Sequence, residues 1–333
     1  MKKIRLQMDG CPGYHCIKDE GYAQQIREVV EPCLNACREC GYYERQTGVP
    51  LYYEAYTVEN PRGNVIIVHG FTENVEKYRE VIYYFIKEKY QVYLMDHRGH
   101  GRSFREAGTS DCSLTHVENF EDYIEDLHGF IEEVVTERAD LNVPFYLYAH
   151  SMGGAVAVRY LQMYPGRIEK AVLTAPMLGI LLNMPESAAF LTAAVMKKCK
   201  KAYHYLPGHG PFTGTQSFRD SVSSSKERYE FFEEKRKSCP YYQNNGGSYG
   251  WMLEAEKMIR AIRREKRNIQ IPICIFAAEK ESLVTLKDQL ALAERTPDSR
   301  VVMVSGSKHE IFMAPEAIQA QYWRYIFRFL EVS

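Results

Sequence analysis

A chain of 333 residues, at about 150 per domain, has room for two domains or for one large α/β domain with an insertion. Apolar residues make up 45% and charged residues 26%, the balance of a globular protein with a sizeable core, and 42 Lys and Arg against 43 Asp and Glu leave no basic face for a nucleic-acid partner. The first ten residues hold no apolar signal region, and the weakly polar run Ser187–Met196 falls short of the ~20 residues a membrane span needs. The nine cysteines, scattered and odd in number, read as reduced thiols in a cytoplasmic enzyme.

In chain order, residues 1–47 form a lead-in with one expected helix from Tyr22 to Cys40. On such a helix Cys33, Cys37 and Cys40, at i, i+4 and i+7, share one face and act as small buried hydrophobes. Their C-x3-C-x2-C spacing is also one that holds iron–sulfur clusters in radical enzymes, but nothing downstream resembles the barrel that would enclose one. From about residue 48, short apolar runs alternate with amphipathic stretches. Residues 65–68, 92–95, 145–148, 171–173, 273–276 and 301–304 are apolar throughout, as strands buried on both faces are. Phe120, Tyr123, Ile124, Leu127, Ile131 and Val134 follow a helical period after Asn119, and Ile318 to Phe329 repeat it. The fold class is α/β, a mostly parallel sheet flanked by helices. The alternation stops over residues 177–270, read as a helical cap inserted between core segments 48–176 and 271–333.

The segment Phe145 to Gly154 reads as strand, sharp turn and helix with Ser151 at the turn. It is a nucleophile elbow in which Ala149 replaces the first glycine of G-x-S-x-G. The turn brings backbone close on both sides, so small residues are needed two before and two after the serine. A hydroxyl becomes nucleophilic only when a base takes its proton. After Ser151 the chain offers His204, His209 and His309, and only His309 follows the last strand, where the base must hang. Glu281, in the loop after 273–276, is the acid chosen to orient it, with Glu279 as runner-up and Asp288 placed too far into the next helix. The backbone N–H groups of Phe71 and Met152 are the expected oxyanion donors, Gly70 turning its loop toward the site and His69 bracing it.

His69-Gly70-Phe71, the segment Asp96-His97-Arg98-Gly99-His100-Gly101-Arg102-Ser103, the Ser151 elbow and His309 together resemble the α/β-hydrolase superfamily, and within it the monoacylglycerol-lipase and lysophospholipase branch. Pro176 to Ile180, Ser224 to Tyr229 and Gly247 to Trp251 are similar to the inner-membrane-associated bacterial lysophospholipases, whose acid loop is also Glu-rich. The resemblance runs from residue 48 to the end, and the cysteine-rich lead-in lies outside it. It implies an acyl-enzyme mechanism on a lysophospholipid or monoacylglycerol ester, without cofactor or metal, and a loop at residues 96–103 whose arginines make structural hydrogen bonds. It further implies a substrate-selecting cap, in which Ala188–Met196 and the lysines at 197, 198, 200 and 201 suit peripheral contact with an anionic membrane face. The same scaffold hosts broad carboxylesterases and peptidases, and non-catalytic ligand-binding relatives whose triads are broken.

Overall fold

A run in which every residue is apolar has no side to show to water, so it is stable only as a strand covered on both faces. The computed structural model, which describes residues 2–6, 13–106, 111–267 and 269–331, places each such run in this way; Cys11 lies outside the described residues. The strands are β1 (Lys2–Leu6), β2 (Arg38–Tyr43), β3 (Leu51–Tyr56), β4 (Gly63–Val68), β5 (Tyr90–Met95), β6 (Leu114–Thr115), β7 (Phe145–His150), β8 (Lys170–Thr174), β9 (Gly246–Gly247), β10 (Ile273–Ala278) and β11 (Ser299–Val304). Nine of them form one sheet in the order β1-β11-β10-β8-β7-β4-β5-β3-β2, parallel except for β3, which opposes both neighbours. The short β6 and β9 pair with each other.

The helices are α1 (residues 22–35, with a π-helical turn at Ile26–Val30), α2 (Arg79–Lys87), α3 (residues 121–138), α4 (Met152–Met163), α5 (Glu186–Lys198), α6 (Lys226–Ser238), α7 (Tyr249–Arg264), α8 (Leu286–Arg295) and α9 (Glu316–Glu331). Alternate strand residues divide between two cores. Ile66, Leu147, Ala149 and Ile275 face α3, α4 and α7, while Val65, Tyr146, Tyr148 and Phe276 face α1, α2 and α9. None of the described helices is long and apolar enough to cross a membrane.

Four expectations are corrected. The lead-in helix ends at Asn35, and Arg38–Tyr43 instead forms an edge strand against β3, because the tyrosine-rich Gly41-Tyr42-Tyr43 favours a pleated surface with an open strand beside it. Cys33 and Cys40 are exposed, one on a helix and one on a strand, so the three thiols do not form a buried helix face. Among the described residues no group of three or more His, Cys, Asp or Glu side chains is placed to hold a metal ion.

The lead-in is also no separate unit. It contributes both outer strands of the sheet, β1 beside β11 and β2 beside β3. It grips α6 through Arg228, whose fully buried guanidinium bonds Glu80 at 2.8 and 2.9 Å, the Ile17 carbonyl at 2.9 Å and the Asp19 carboxylate. Finally, α7 lies in the core rather than in a cap: Trp251, Ala255, Met258, Ile259 and Ile262 are buried, and the Ile262 carbonyl accepts from Gln162 of α4 at 3.3 Å.

Candidate active site

β7 ends at His150 and the chain turns into α4 through a single residue. Ser151 adopts φ 50°, ψ −117°, a conformation that costs a non-glycine residue on the order of 1–3 kcal/mol and holds its hydroxyl clear of both elements. The turn is pinned by its own backbone: the Ser151 N–H donates to the Thr174 carbonyl at 3.0 Å, and its carbonyl accepts from Gly154 and Met177, each at 2.9 Å. A Cβ on Gly153 would lie 2.1 Å from the Val68 carbonyl oxygen and 2.5 Å from that of His69, so glycine is required there. At the other small position Ala149 is fully buried in the α4-side core, which accepts the extra methyl group.

The Ser151 hydroxyl is 2.9 Å from His309 Nε2, and His309 Nδ1 is 2.9 and 2.8 Å from the two Glu281 oxygens. Burial alone would raise the Glu281 carboxyl, but its hydrogen bond and charge interaction with His309, together with the N–H groups of Leu283 and Ser282, outweigh that and hold it below the usual carboxylate range. An ionised carboxylate only accepts, so Nδ1 carries the ring proton and Nε2 is left to accept from Ser151. The backbone N–H groups of Ser282 and Leu283 meet Glu281 Oε1 at 2.9 and 2.8 Å and fix the carboxylate plane. Glu279 accepts instead from the Gly306 N–H at 2.9 Å, and Asp288 is held by Thr285 and by Arg263 at 3.2 Å. Of the three carboxylates considered, Glu281 is the one beside His309.

Phe71 lies in the loop after β4, its ring packed at a tilt of 37° against Trp251 with centroids 4.1 Å apart. A Cβ at Gly70 would meet Glu73 Oε2 at 2.8 Å, and Thr72, at φ 59°, donates its hydroxyl to the Phe71 carbonyl at 2.7 Å. Met152 opens α4, where first-turn N–H groups have no intrahelical partner. His69 braces this loop: one ring nitrogen donates to the Gly70 carbonyl at 2.8 Å and the other accepts from the His97 N–H at 2.9 Å. Burial lowers its pKa to about 4, keeping it neutral. The 96–103 loop is structural too. Asp96 accepts from the N–H groups of Val75 at 2.8 Å and Arg102 at 2.9 Å, and Arg98 forks onto Asp126 at 2.7 and 2.9 Å.

Sequence reasoning missed a layer of charge behind these groups. Glu73 Oε2 accepts from the Gly70 N–H and the Tyr78 hydroxyl, each at 2.6 Å, and Oε1 faces Lys77 at 3.3 Å and His150 Nε2 at 3.8 Å. His150, adjacent to the serine, donates from Nδ1 to the Thr174 carbonyl at 3.0 Å, and its ring centre lies 4.9 Å from that of His309. The available signal was adjacency, since Glu73 is three residues past Gly70 and Glu310 directly follows His309. A cavity of about 510 Å³ opens beside the site between Phe71, Leu283 and Met313 on the core and Val222, Tyr229 and Phe232 on the segment above.

Serine, acid and histidine in that chain order on a mostly parallel sheet are the arrangement of the α/β-hydrolase fold. Over residues 59–316 the chain matches the Hydrolase_4 family, described as serine aminopeptidase, S33, and it belongs to that family. It is 30% identical over 269 residues to the probable lysophospholipase L2 of Haemophilus influenzae, covering 81% of this chain and 84% of that one. It is 24% identical to the monoacylglycerol lipase of Mycolicibacterium smegmatis, covering 81% and 89%. A soluble variant of the Saccharomyces cerevisiae monoglyceride lipase superposes with a TM-score of 0.68 at 18% identity, covering 88% and 96%, which is likeness of fold.

Proposed function

We propose that this protein is a serine carboxylic-ester hydrolase acting on lysophospholipids or monoacylglycerols through the triad Ser151, His309 and Glu281. The relay of hydrogen bonds from Ser151 through His309 to Glu281, at 2.9 and 2.8 Å, carries the reading. In it, His309 Nε2 takes the proton as Ser151 Oγ attacks the ester carbonyl. The Phe71 and Met152 amides hold the oxyanion, each worth about 3 kcal/mol of barrier. Glu281 stabilises the imidazolium, which then gives its proton to the leaving glycerol oxygen. Water, activated by His309, releases the fatty acid from the acyl-enzyme. The names of the two curated relatives support the choice of a glycerolipid ester.

Residues 177–248 are the cap that covers the cavity and selects the substrate. On its outer side Leu181, Met184, Leu191 and Val195 are between 48% and 63% exposed, beside Lys198, Lys200 and Lys201. That face suits peripheral contact with an anionic bilayer. Lys197 does not contribute, because it reaches Glu118 and Glu254, each at 3.4 Å.

Fatty-acid release from lysophosphatidylcholine and from a monoacylglycerol, by wild type and Ser151→Ala, tests the chemistry. Release of fatty acid from at least one of the lipids, abolished in the variant, is expected, and a Ser151→Ala protein as active as wild type refutes it. In the same preparation, co-sedimentation with phosphatidylglycerol vesicles is expected to be lost in Leu191→Asp/Val195→Asp. Retention of vesicle binding there removes the membrane face alone.

A further inference from the structure

Two loops must hold register for the proposed chemistry: residues 70–73, which present the Phe71 amide, and residues 309–310, which present the base. They are more than 230 residues apart, and Lys77 bridges them. Its ammonium contacts Glu73 at 3.3 Å on one side and forms a short ion pair with Glu310 on the other. Each carboxylate is in turn tied to its own loop. Glu73 holds the Gly70 N–H at 2.6 Å, one residue before the oxyanion donor. Glu310 is bonded in sequence to His309, and its N–H donates to the Val222 carbonyl of the cap at 3.1 Å. Lys77 also sits 5.1 Å over the ring of Phe232 on the cap helix α6.

We propose that Lys77, with Glu73 and Glu310, is an ionic latch that sets the distance between the oxyanion donor and the general base, and thus that Lys77 is a positioning residue for acyl transfer. The three groups are nearly closed to solvent, with side-chain exposures of 9% for Lys77, 2% for Glu73 and 11% for Glu310. In such a setting an ion pair is little screened and resists displacement by water. Burial works against the charge on Lys77, but Glu310 and Glu73 outweigh it and raise its pKa, so the latch stays charged at neutral pH. A surface pair would tolerate loss of one partner. Here, without the ammonium, two buried carboxylates face each other and the loops separate. A reacting group displaced by ~1 Å costs about 100-fold in rate.

This inference rests on the triad reading, and the experiment separates the two. Hydrolysis of p-nitrophenyl butyrate is followed for Lys77→Met, Glu310→Met, the double variant, Lys77→Arg and Ser151→Ala, with a thermal melt of each. The short acyl chain leaves the cap little to select. The latch predicts that each single methionine variant loses about 100-fold in kcat with KM within about twofold, and that the double variant loses no more than either. Lys77→Arg, which keeps the charge, recovers most of the loss. Unchanged kcat in folded single variants, losses that multiply in the double, or losses carried by KM overturn the latch. If Lys77→Met lacks a cooperative melt, Glu310→Met decides, because it leaves the Lys77–Glu73 pair in place. A Ser151→Ala variant as active as wild type removes the triad reading and the latch with it. A silent Ser151→Ala beside fully active latch variants removes the latch alone.

Discussion

Replacing Glu281 with Gln is the most informative single change, because the structure dictates which way the new amide must point. The Ser282 and Leu283 N–H groups approach the Oε1 position at 2.9 and 2.8 Å and demand an acceptor. The amide oxygen therefore stays there, and the NH2 group falls at the Oε2 position, 2.8 Å from His309 Nδ1. A donor at that spot opposes the Nδ1 proton, whose remaining acceptor, the oxygen at the Oε1 position 2.9 Å away, is already shared by two backbone N–H groups. The balance shifts toward the tautomer with the proton on Nε2, which leaves Ser151 with no base. The shape of the site is unchanged while the tautomer is wrong. A loss of ~10⁴-fold in kcat is expected, about 5 kcal/mol of barrier at 1.36 kcal/mol per decade. Initial rates on a p-nitrophenyl ester, with fluorophosphonate labelling of Ser151 as a direct probe of nucleophilicity, measure it. Glu279→Gln serves as the contrast: its carboxylate engages Gly306, so it is expected to stay within about twofold of wild type. Glu281→Gln within about tenfold of wild type, or Glu279→Gln the more damaging of the two, would refute the reasoning.

Arg228→Met leaves the Glu80 carboxylate buried without its forked partner, at a cost of about 3–5 kcal/mol, and lowers the melting temperature by ~10 °C. A shift under about 2 °C would count against the lead-in as a support for α6. Acid is expected to weaken the fold. His69, His97, His100 and His150 are kept neutral by burial, His69 down to about 4 and His150 to about 3, whereas burial pushes Asp96 up to about 6 and raises Glu256. Near pH 5.5 the unfolded chain thus binds four protons on these histidines that the native state refuses. The native state keeps at most two on the carboxylates that the unfolded chain releases. Depressed histidine pKa values place the stability above pH 6.5, so it drains as pH falls, by about 2 kcal/mol between pH 6.5 and 5.5. Urea unfolding at the two pH values checks this, and equal or greater stability at the lower one would sink it.

The parts of the fold that were legible in the sequence are those whose signal is local. Runs such as Val65–Val68 and Ile273–Phe276 declare a doubly covered strand by having no polar residue. Ser151 declares itself by small neighbours between a strand and a helix. β3 escaped because Glu54 stands in its middle, and only the fold supplies the Arg79 guanidinium, 2.6 and 3.0 Å away, that lets a carboxylate be buried there. Cys40 was misplaced because the spacing Cys33, Cys37, Cys40 satisfies a helix, while the partner strand Leu51–Tyr56 that draws it into a sheet lies further along the chain. The same distance effect hid the Lys77 pair with Glu310. Helix α7 looked like cap because it follows a glycine-rich loop, yet its apolar face was the better guide to where it packs.

The first 56 residues have a role that no triad reading suggests. They run from one margin of the sheet to the other, laying β1 along β11 and β2 and β3 beyond β5. The span recognised as the family, residues 59–316, contains Ser151, Glu281 and His309. Cut out on its own, that span would present two bare ladders of amide and carbonyl groups, one along β5 and one along β11, each ready to recruit a foreign strand. The stretch that identifies the enzyme is therefore shorter than the stretch that completes its sheet, and the difference includes a segment that carries none of the three triad residues.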